Sequence, residues 1–115
     1  MDFEKLEVWQ RAFHLSCELY KRTDRLRDLA LRSQLTRSGL SVPSNIAEGM
    51  ARRSDKDKLR FLDIARASLA ELRTQAIIGA EIQYLETDFS NFCVAETREL
   101  GAMLTGLMKW IEQKL

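Results

Sequence analysis

Proline, histidine and cysteine are scarce in this chain of 115 residues, which contains one proline, one histidine and two cysteines. Cys17 and Cys93 are too few and too far apart to form a disulfide framework, and no CxxC or Cys/His spacing of a zinc site is present. We therefore expect two reduced thiols that pack as small apolar residues, and no metal site.

Sequence motifs of the common catalytic sites are also missing. Neither Ser41 nor Ser44 lies in a G-x-S-x-G or S-x-x-K arrangement, and His14, next to Phe13, is typical of a packing residue rather than a general base. The chain has no glycine-rich phosphate loop, no H-E-x-x-H and no Glu-x-x-His pair of the kind that builds di-iron sites. These absences argue against an enzyme, and we expect no catalytic residue and no bound cofactor.

Charge and hydropathy exclude further classes of protein. The chain carries 18 Lys and Arg against 17 Asp and Glu, so no overall field attracts nucleic acid or acidic lipid. No apolar run approaches the ~20 residues that span a bilayer, and the acidic opening "MDFEKLEVWQ" differs from a signal peptide. We therefore expect a cytoplasmic protein with no membrane partner. Basic side chains are concentrated between Arg11 and Arg66, where thirteen stand against seven acidic ones, so a polyanion-binding surface is expected in the N-terminal half.

Four long segments show the three-four spacing of apolar residues that is typical of amphipathic helices, and no segment alternates as a strand would. The first runs from about residue 3 to 23 and the second from about 29 to 51. The third begins after Ser54, and the fourth follows a predicted turn, "ETDFSN", at residues 86–91. The pattern predicts one all-α domain over residues 1–115, folded as an antiparallel up-down-up-down four-helix bundle.

Each helix has an apolar stripe that we expect to face the core, and the third helix is the clearest because Ser54 is a good N-cap. The expected core positions are Leu6, Phe13, Cys17 and Tyr20 in the first helix, Leu35, Val42 and Ile46 in the second, Leu62, Ala65, Leu69, Leu72 and Ala76 in the third, and Leu100, Leu104, Leu107, Ile111 and Leu115 in the fourth.

The first and third helices carry a second apolar stripe, about 100° around the helix from the first. Its members are Val8, Ala12, Leu15 and Leu19 in the first helix, and Phe61, Ile64, Ile78 and Ile82 in the third. Two explanations stay open. Either the core face is wide, or the second stripe is an interface between subunits, since a second apolar face in water would be a large exposed patch.

The single proline, Pro43, lies in the stretch "SVPSNIAEG" (Ser41–Gly49) of the second helix. Proline inside a helix costs about 3 kcal/mol, because it removes a backbone hydrogen bond and clashes with the carbonyl four residues back, here that of Gly39. We expect the second helix to be kinked at Pro43, with Ser44 bonding back to the carbonyl of Leu40. A break, with Pro43 as the first residue of a new helix, is the alternative.

Small and polar residues surround the proline and predict a close contact with another helix. Ser41, Ser44 and Glu48 lie on one face, with Asn45 and Gly49 beside them. A carboxylate on a packed helix face needs a partner that is charged or donates a hydrogen bond. We expect Glu48 to pair with Arg66 of the next helix.

A basic run follows the second helix. It consists of Arg52, Arg53, Lys56, Lys58 and Arg60. The run crosses a predicted helix start, where free backbone N–H groups favour anions, and this makes it the candidate contact for RNA or DNA. Asp55 and Asp57 interrupt the run and no aromatic residue is interleaved to stack on bases, so a solvated loop is the alternative.

Three stretches of the sequence resemble a known family. They are "FEKLEVWQRAFHLSCELY", "SQLTRSGLSVPSNIAEG" and "RFLDIARASLAEL", and they are similar to the small four-helix bundle proteins encoded in intervening sequences of bacterial large-subunit (23S) ribosomal RNA genes. The resemblance covers nearly the whole chain and implies an antiparallel four-helix bundle, a ring-shaped homopentamer and no established enzymatic activity. The accessory bundle protein of diversity-generating retroelements is also similar. That branch is a basic pentamer that engages a reverse transcriptase and nucleic acid, whereas this chain is nearly neutral.

The resemblance places the family motif on two helices of this chain. Its positions are Ser41, Pro43, Ser44, Asn45, Ile46, Ala47, Glu48 and Gly49 on the second helix, and Arg66, Ser68 and Glu71 on the third. Ala67 stands where the family usually has glycine, a change that favours helix.

Taken with the missing catalytic motifs, the resemblance leads us to expect a non-catalytic homo-oligomeric interaction or scaffold module. Its partners are expected to be its own copies in a homopentamer, and RNA, DNA or another protein. A weak, sequence-nonspecific nucleic-acid-binding protein is the alternative.

Overall fold

The structure, a computed structural model, describes residues 2–113. A 3-10 turn at Phe3–Lys5 precedes four helices, which are α1 (Glu7–Arg22), α2 (Leu29–Met50), α3 (Asp55–Glu81) and α4 (Thr87–Glu112). The predicted all-α four-helix bundle is confirmed. Leu115, an expected core residue of the fourth helix, lies outside the described residues.

Local sequence signals determine where α2 and α3 begin. Asp28 and Ser54 have an extended backbone, and each side chain accepts a hydrogen bond from a backbone N–H three residues further on. The donor is Leu31 at 2.8 Å in the first case and Asp57 at 3.0 Å in the second. Such N-caps satisfy a donor that the start of a helix leaves free, and the predicted cap at Ser54 is confirmed.

Hydrogen bonds that involve side chains show that neighbouring helices run antiparallel. They join Ser38 to Gln75 and Ser41 to Ser68 between α2 and α3, Arg73 to Thr97 and Ser90 to Ala76 between α3 and α4, and Arg11 to Glu96 between α1 and α4. In the α2–α3 and α3–α4 pairings the residue numbers rise on one helix as they fall on the other, so these helices run antiparallel. The bundle measures 46 × 20 × 19 Å. Within residues 2–113, no helix combines the length and the apolar character needed to cross a bilayer.

The core confirms the expected orientation of α2, α3 and α4. Its members from these helices include Leu35, Val42, Ile46, Leu62, Ala65, Leu69, Leu72, Ala76, Leu100, Leu104 and Ile111. Leu107 is partly buried against this cluster.

The orientation of α1 differs from the prediction. The buried residues on it include Val8, Ala12, Leu15 and Leu19, which were expected to form the second stripe. Phe13 and Tyr20 are exposed instead, and the ring of Phe13 stacks on Trp9 with 5.4 Å between centroids. Both stripes have the same helical period, so periodicity alone does not decide which of them faces the core.

The connection between α3 and α4 comes earlier than predicted. Because α4 begins at Thr87, the predicted turn at residues 86–91 is wrong, and the chain reverses over residues 82–86. The polar residues of this segment favour a turn, but Phe89 is in the core and Ser90 is buried. The Ser90 hydroxyl satisfies its hydrogen bonding by donating to a backbone carbonyl of α3 at 2.8 Å.

Helix α2 continues through Pro43, so the alternative of a break is wrong. Gly39, whose carbonyl faces the proline ring, also lies against Leu19 of α1, so closely that a Cβ atom there would collide with the Leu19 side chain. Ser44 is exposed and does not make the expected bond to the carbonyl of residue 40. Asn45 is the residue that bonds back into the helix, because its Nδ2 donates to the carbonyl of Ser41 at 2.8 Å.

Candidate functional site

The predicted motif lies where α2 packs against α3, and three of its polar side chains form one hydrogen-bonded group. Ser41 and Ser68 share a hydrogen bond of 2.8 Å between their Oγ atoms. Asn45 Nδ2 donates to Ser41 Oγ at 2.9 Å, and either hydroxyl can donate in the bond between Ser41 and Ser68. The partners of Ser41 include no titratable base, so this arrangement fastens two helices rather than activating a nucleophile.

Gly49 marks a very close approach of α2 to α3. A Cβ atom at this position would lie 2.8 Å from the Cβ of Phe61 and 3.3 Å from the carbonyl oxygen of Lys58. The carbonyl belongs to the backbone and cannot rotate away. Glycine at residue 49 therefore permits this helix contact.

Glu48 and Arg66 do not form the expected ion pair. Glu48 is exposed and pairs with Arg52, one turn further along α2, at 3.4 Å. Arg66 pairs with Asp63 at 2.8 Å and donates to the hydroxyl of Thr105 on α4 at 3.3 Å. The prediction is wrong because Arg66 reaches toward α4, whereas Glu48 belongs to a helix on the other side of α3.

Lys58, the fourth residue of the basic run, has a structural role. Its Nζ donates to the carbonyl oxygen of Met50 at 3.1 Å and also to that of Arg52. The Met50 carbonyl is at the end of α2, where a cation is favoured by the helix dipole, and the Arg52 carbonyl lies two residues beyond it. Lys58 therefore holds the corner between α2 and α3.

Two arginines of the basic run are held against an aromatic ring. The guanidinium groups of Arg52 and Arg60 lie 4.7 and 4.6 Å from the ring centroid of Phe61. Such cation–π contacts limit the freedom of both side chains to reach a ligand. Arg53 and Lys56 are exposed and have neither a hydrogen bond nor an ion pair with another described side chain.

The two parts of the predicted site, the motif and the basic run, meet at the corner between α2 and α3, where Gly49 contacts Phe61 and Lys58.

A charged cluster between α1 and α4 was not predicted. Arg11 Nε and Nη2 donate to the two carboxylate oxygens of Glu96 at 3.2 and 2.6 Å, and Nη1 donates to Glu99 at 3.1 Å. The hydrogen bonds with Glu96 and then Glu99 raise the pKa of Arg11 above its usual value. The only signal in the sequence is that the two glutamates lie one turn apart, because their partner is about 85 residues away along the chain.

Thiol and imidazole groups are dispersed in the bundle. Cys93 is fully buried, and this burial raises the pKa of its thiol to about 12. Cys17 is half-buried, and His14 is exposed, with its ring 5.4 Å from that of Phe13. Over residues 2–113, the structure has no group of three or more His, Cys, Asp and Glu residues arranged to hold a metal ion.

Comparison with known proteins identifies the family. The family model described as 23S rRNA-intervening sequence protein matches residues 4–106. The chain belongs to this family. No curated protein matches it.

The chain also shares its fold with a solved structure. The crystal structure of a protein with unknown function, from the S23 ribosomal protein family of Bacteroides thetaiotaomicron, superposes with a TM-score of 0.82. The sequences are 20% identical, and the match covers 89% of this chain and 98% of the other. At this identity the likeness shows a common fold.

The motif residues of the chain fall into two groups. Ser41, Asn45, Gly49 and Ser68 lie in the contact between α2 and α3, whereas Ser44, Glu48, Arg66 and Glu71 are exposed. The first group holds the two helices together, and the second is accessible to a partner.

Proposed function

We propose that the protein is a non-catalytic interaction or scaffold module that assembles from its own copies into a ring of five. The observation that carries this proposal is an apolar stripe on the outer side of α3. It consists of Ile64, Ile78 and Ile82, each between 41% and 49% exposed. Ile78 and Ile82 lie one turn apart at the end of α3, and Ile64 lies on the same side four turns earlier. Exposed isoleucines on the solvent side of a helix form the kind of patch that is covered in an assembly.

Helix α1 supplies a second surface, where Phe13 and Tyr20 are exposed two turns apart. Because α1 packs against α2 and α4 and not against α3, the α1 and α3 surfaces lie on different sides of the bundle. A contact between the α1 surface of one copy and the α3 surface of the next is heterologous, and heterologous contacts that close generate a ring. The number five comes from the family resemblance.

The free thiols Cys17 and Cys93 fit a reducing compartment such as the cytoplasm.

Light scattering at micromolar concentration tests the assembly. We expect the mass of a pentamer for the parent protein and the mass of a monomer for Ile78→Glu, because a carboxylate in the stripe would be buried without a partner. The matched control is Ile77→Glu, since residue 77 is 50% exposed against 49% for residue 78 but points about 100° away around the helix. A parent protein that is monomeric, or two variants that dissociate equally, would contradict the proposal.

A weak, sequence-nonspecific nucleic-acid binder is the second candidate, supported by the exposed and unpaired side chains of Arg53 and Lys56. Repetition around a ring would add the contacts of several copies to one polyanion. We expect the affinity for RNA or DNA to fall steeply between about 50 and 200 mM salt, because phosphate contacts release counterions. The substitutions Arg53→Gln and Lys56→Gln should flatten this dependence, and a parent protein that fails to bind at low salt excludes this candidate.

A further inference from the structure

Two adjoining clefts lie at the end of the bundle where the α1–α2 and α3–α4 connections meet. The larger has a volume of about 530 Å³ and is lined by Arg25, Leu26, Arg27, Asp28, Gln83 and Tyr84. The smaller, of about 190 Å³, shares Arg25, Leu26 and Tyr84 with it. The larger volume is within the range of small-molecule sites. This end is remote from the basic run, because the 22 residues of α2 separate the two by roughly 33 Å.

The cations of the larger cleft are available to a ligand. Arg25 and Arg27 are exposed and form no ion pair, hydrogen bond or ring contact with another described residue. Asp28, the acidic residue of the lining, is engaged because its carboxylate accepts the N–H of Leu31 at the start of α2. The neighbouring Arg22 is occupied as well, since it lies 4.7 Å from the centroid of the Phe89 ring. The lining holds two arginines against one aspartate, so the net charge of this cleft is positive.

An aromatic ring is held at the same place. Tyr84 is 51% exposed, and the N–H groups of Tyr84 and Leu85 both donate to the carbonyl of Gly79, at 2.9 and 3.0 Å. The preceding residue, Gln83, has a left-handed φ of 63°. This conformation ends α3, because it lets the N–H groups of Gln83 and Tyr84 donate to the carbonyls of Ala80 and Gly79. The turn thus fixes an accessible tyrosine and an amide side chain at the cleft.

We propose that this cleft binds a nucleotide, with its phosphate on Arg25 and Arg27 and its base on the ring of Tyr84. Planar guanidinium groups bind phosphate oxygens in a bidentate manner. Exposed aromatic rings stack on bases, and the Gln83 amide can donate to and accept from a base edge. A free mononucleotide and the phosphorylated end of a single-stranded RNA present the same chemistry. The site does not require the ring assembly, because all its residues come from one chain.

Isothermal titration of the full chain with AMP, GMP, adenosine and inorganic phosphate tests this site. We expect a nucleotide to bind with one site per chain and adenosine to bind about tenfold more weakly or not at all. The double substitution Arg25→Gln and Arg27→Gln should weaken nucleotide binding by about tenfold or more. Tyr84→Leu should weaken nucleotide binding and leave inorganic phosphate unaffected. The control, Arg98→Gln with Lys109→Gln, removes two exposed cations of α4 that do not line either cleft, and it should change nothing.

Short single-stranded RNA distinguishes the two sources of the ligand. A 5′-phosphorylated pentanucleotide that binds at least about tenfold more tightly than AMP and GMP indicates a strand end, and equal binding indicates a free nucleotide. All the substituted side chains are exposed, so we expect unchanged thermal unfolding. The proposal is overturned if neither nucleotide nor RNA binds at millimolar concentration, if the control loses as much affinity as the cleft variants, or if Tyr84→Leu has no effect.

Discussion

Single glycines on α2 and α4 differ in what a methyl group would meet. Gly49 faces a side chain and a backbone carbonyl of α3, whereas a methyl group at Gly106 would meet no side chain and no other helix of residues 2–113 within 4 Å. We expect Gly49→Ala to lower the free energy of unfolding by about 1 to 3 kcal/mol, because α2 and α3 must move apart. Gly106→Ala should raise it by up to about 1 kcal/mol, because alanine favours helix. Urea unfolding at one protein concentration measures both, and equal effects would contradict the close contact at residue 49.

The two cysteines should differ in reactivity. The thiolate is the reactive form, and Cys93 has a pKa of about 12 because it is buried, against an ordinary value of 9.0. A thiol reagent at about pH 8 should therefore modify Cys17 first and Cys93 only when the bundle opens. Since unfolding restores the lower pKa, the contribution of Cys93 to stability should decline as pH rises from about 9 toward 12. Cys93→Ala should remove that part of the alkaline slope, and rapid reaction of both thiols in the folded protein would refute the assignment.

Residue roles in the motif were predictable only as far as they depend on neighbours in sequence. The clustering of small residues around Pro43 indicated a close helix contact, and Gly49 makes one. The partner of Ser41, however, is Ser68, which is 27 residues away, and helical periodicity cannot select it. Glu48 was assigned the wrong partner because Arg52, a cation one turn further along the same helix, is nearer than Arg66.

Among the elements, α1 and α4 are joined by a charged contact, the cluster of Arg11 with Glu96 and Glu99. Their contact is less extensive than that of any other neighbouring α-helix pair, and Glu96, whose side chain is 18% exposed, accepts two hydrogen bonds from Arg11 within it. We expect Glu96→Gln to lower the free energy of unfolding by about 1 to 2 kcal/mol, between the values typical of exposed and buried pairs. The matched control is Asp63→Asn, which removes an exposed pair and should cost less than about 0.5 kcal/mol. Equal losses of unfolding free energy for the two variants would show that the Arg11 cluster stabilises the fold no more than an exposed ion pair does.

Whether a whole element could be predicted depended on its apolar stripes and on the residues at its ends. Helix α3 carries two stripes, but the longer one faces the core, and both its start at the Ser54 N-cap and its core face were predicted correctly. Helix α1 has two stripes of equal period and equal length, and the buried one packs where Leu19 meets Gly39 of α2, a contact that periodicity cannot select. The start of α4 was misplaced because Ser90, a residue common in turns, is buried with a hydrogen bond to another helix.

For the molecule as a whole, the ring proposal predicts that stability depends on protein concentration. Association through the outer stripe of α3 would stabilise the folded chain by mass action, because unfolded chains do not assemble. We expect the thermal unfolding midpoint of the parent protein to rise over a hundredfold range of concentration and that of Ile78→Glu to stay constant. Scanning calorimetry or intrinsic tryptophan fluorescence measures this, and a constant midpoint for the parent protein would count against assembly.

The unequal packing of the helices has a consequence for how the native bundle opens. The contact between α2 and α3 is the most extensive between helices, while the contact between α1 and α4, which includes the Arg11 cluster, is the least extensive between neighbouring α-helices. Proteins open locally through their least stable contacts, so amide hydrogens of α1 should exchange with solvent sooner than those of α2 and α3. A chain opened in this way would still carry an intact α2–α3 hairpin with the motif assembled. It would also expose the leucines of α1, and the hydrogen-exchange pattern would therefore divide the bundle into a detachable first helix and a persistent hairpin.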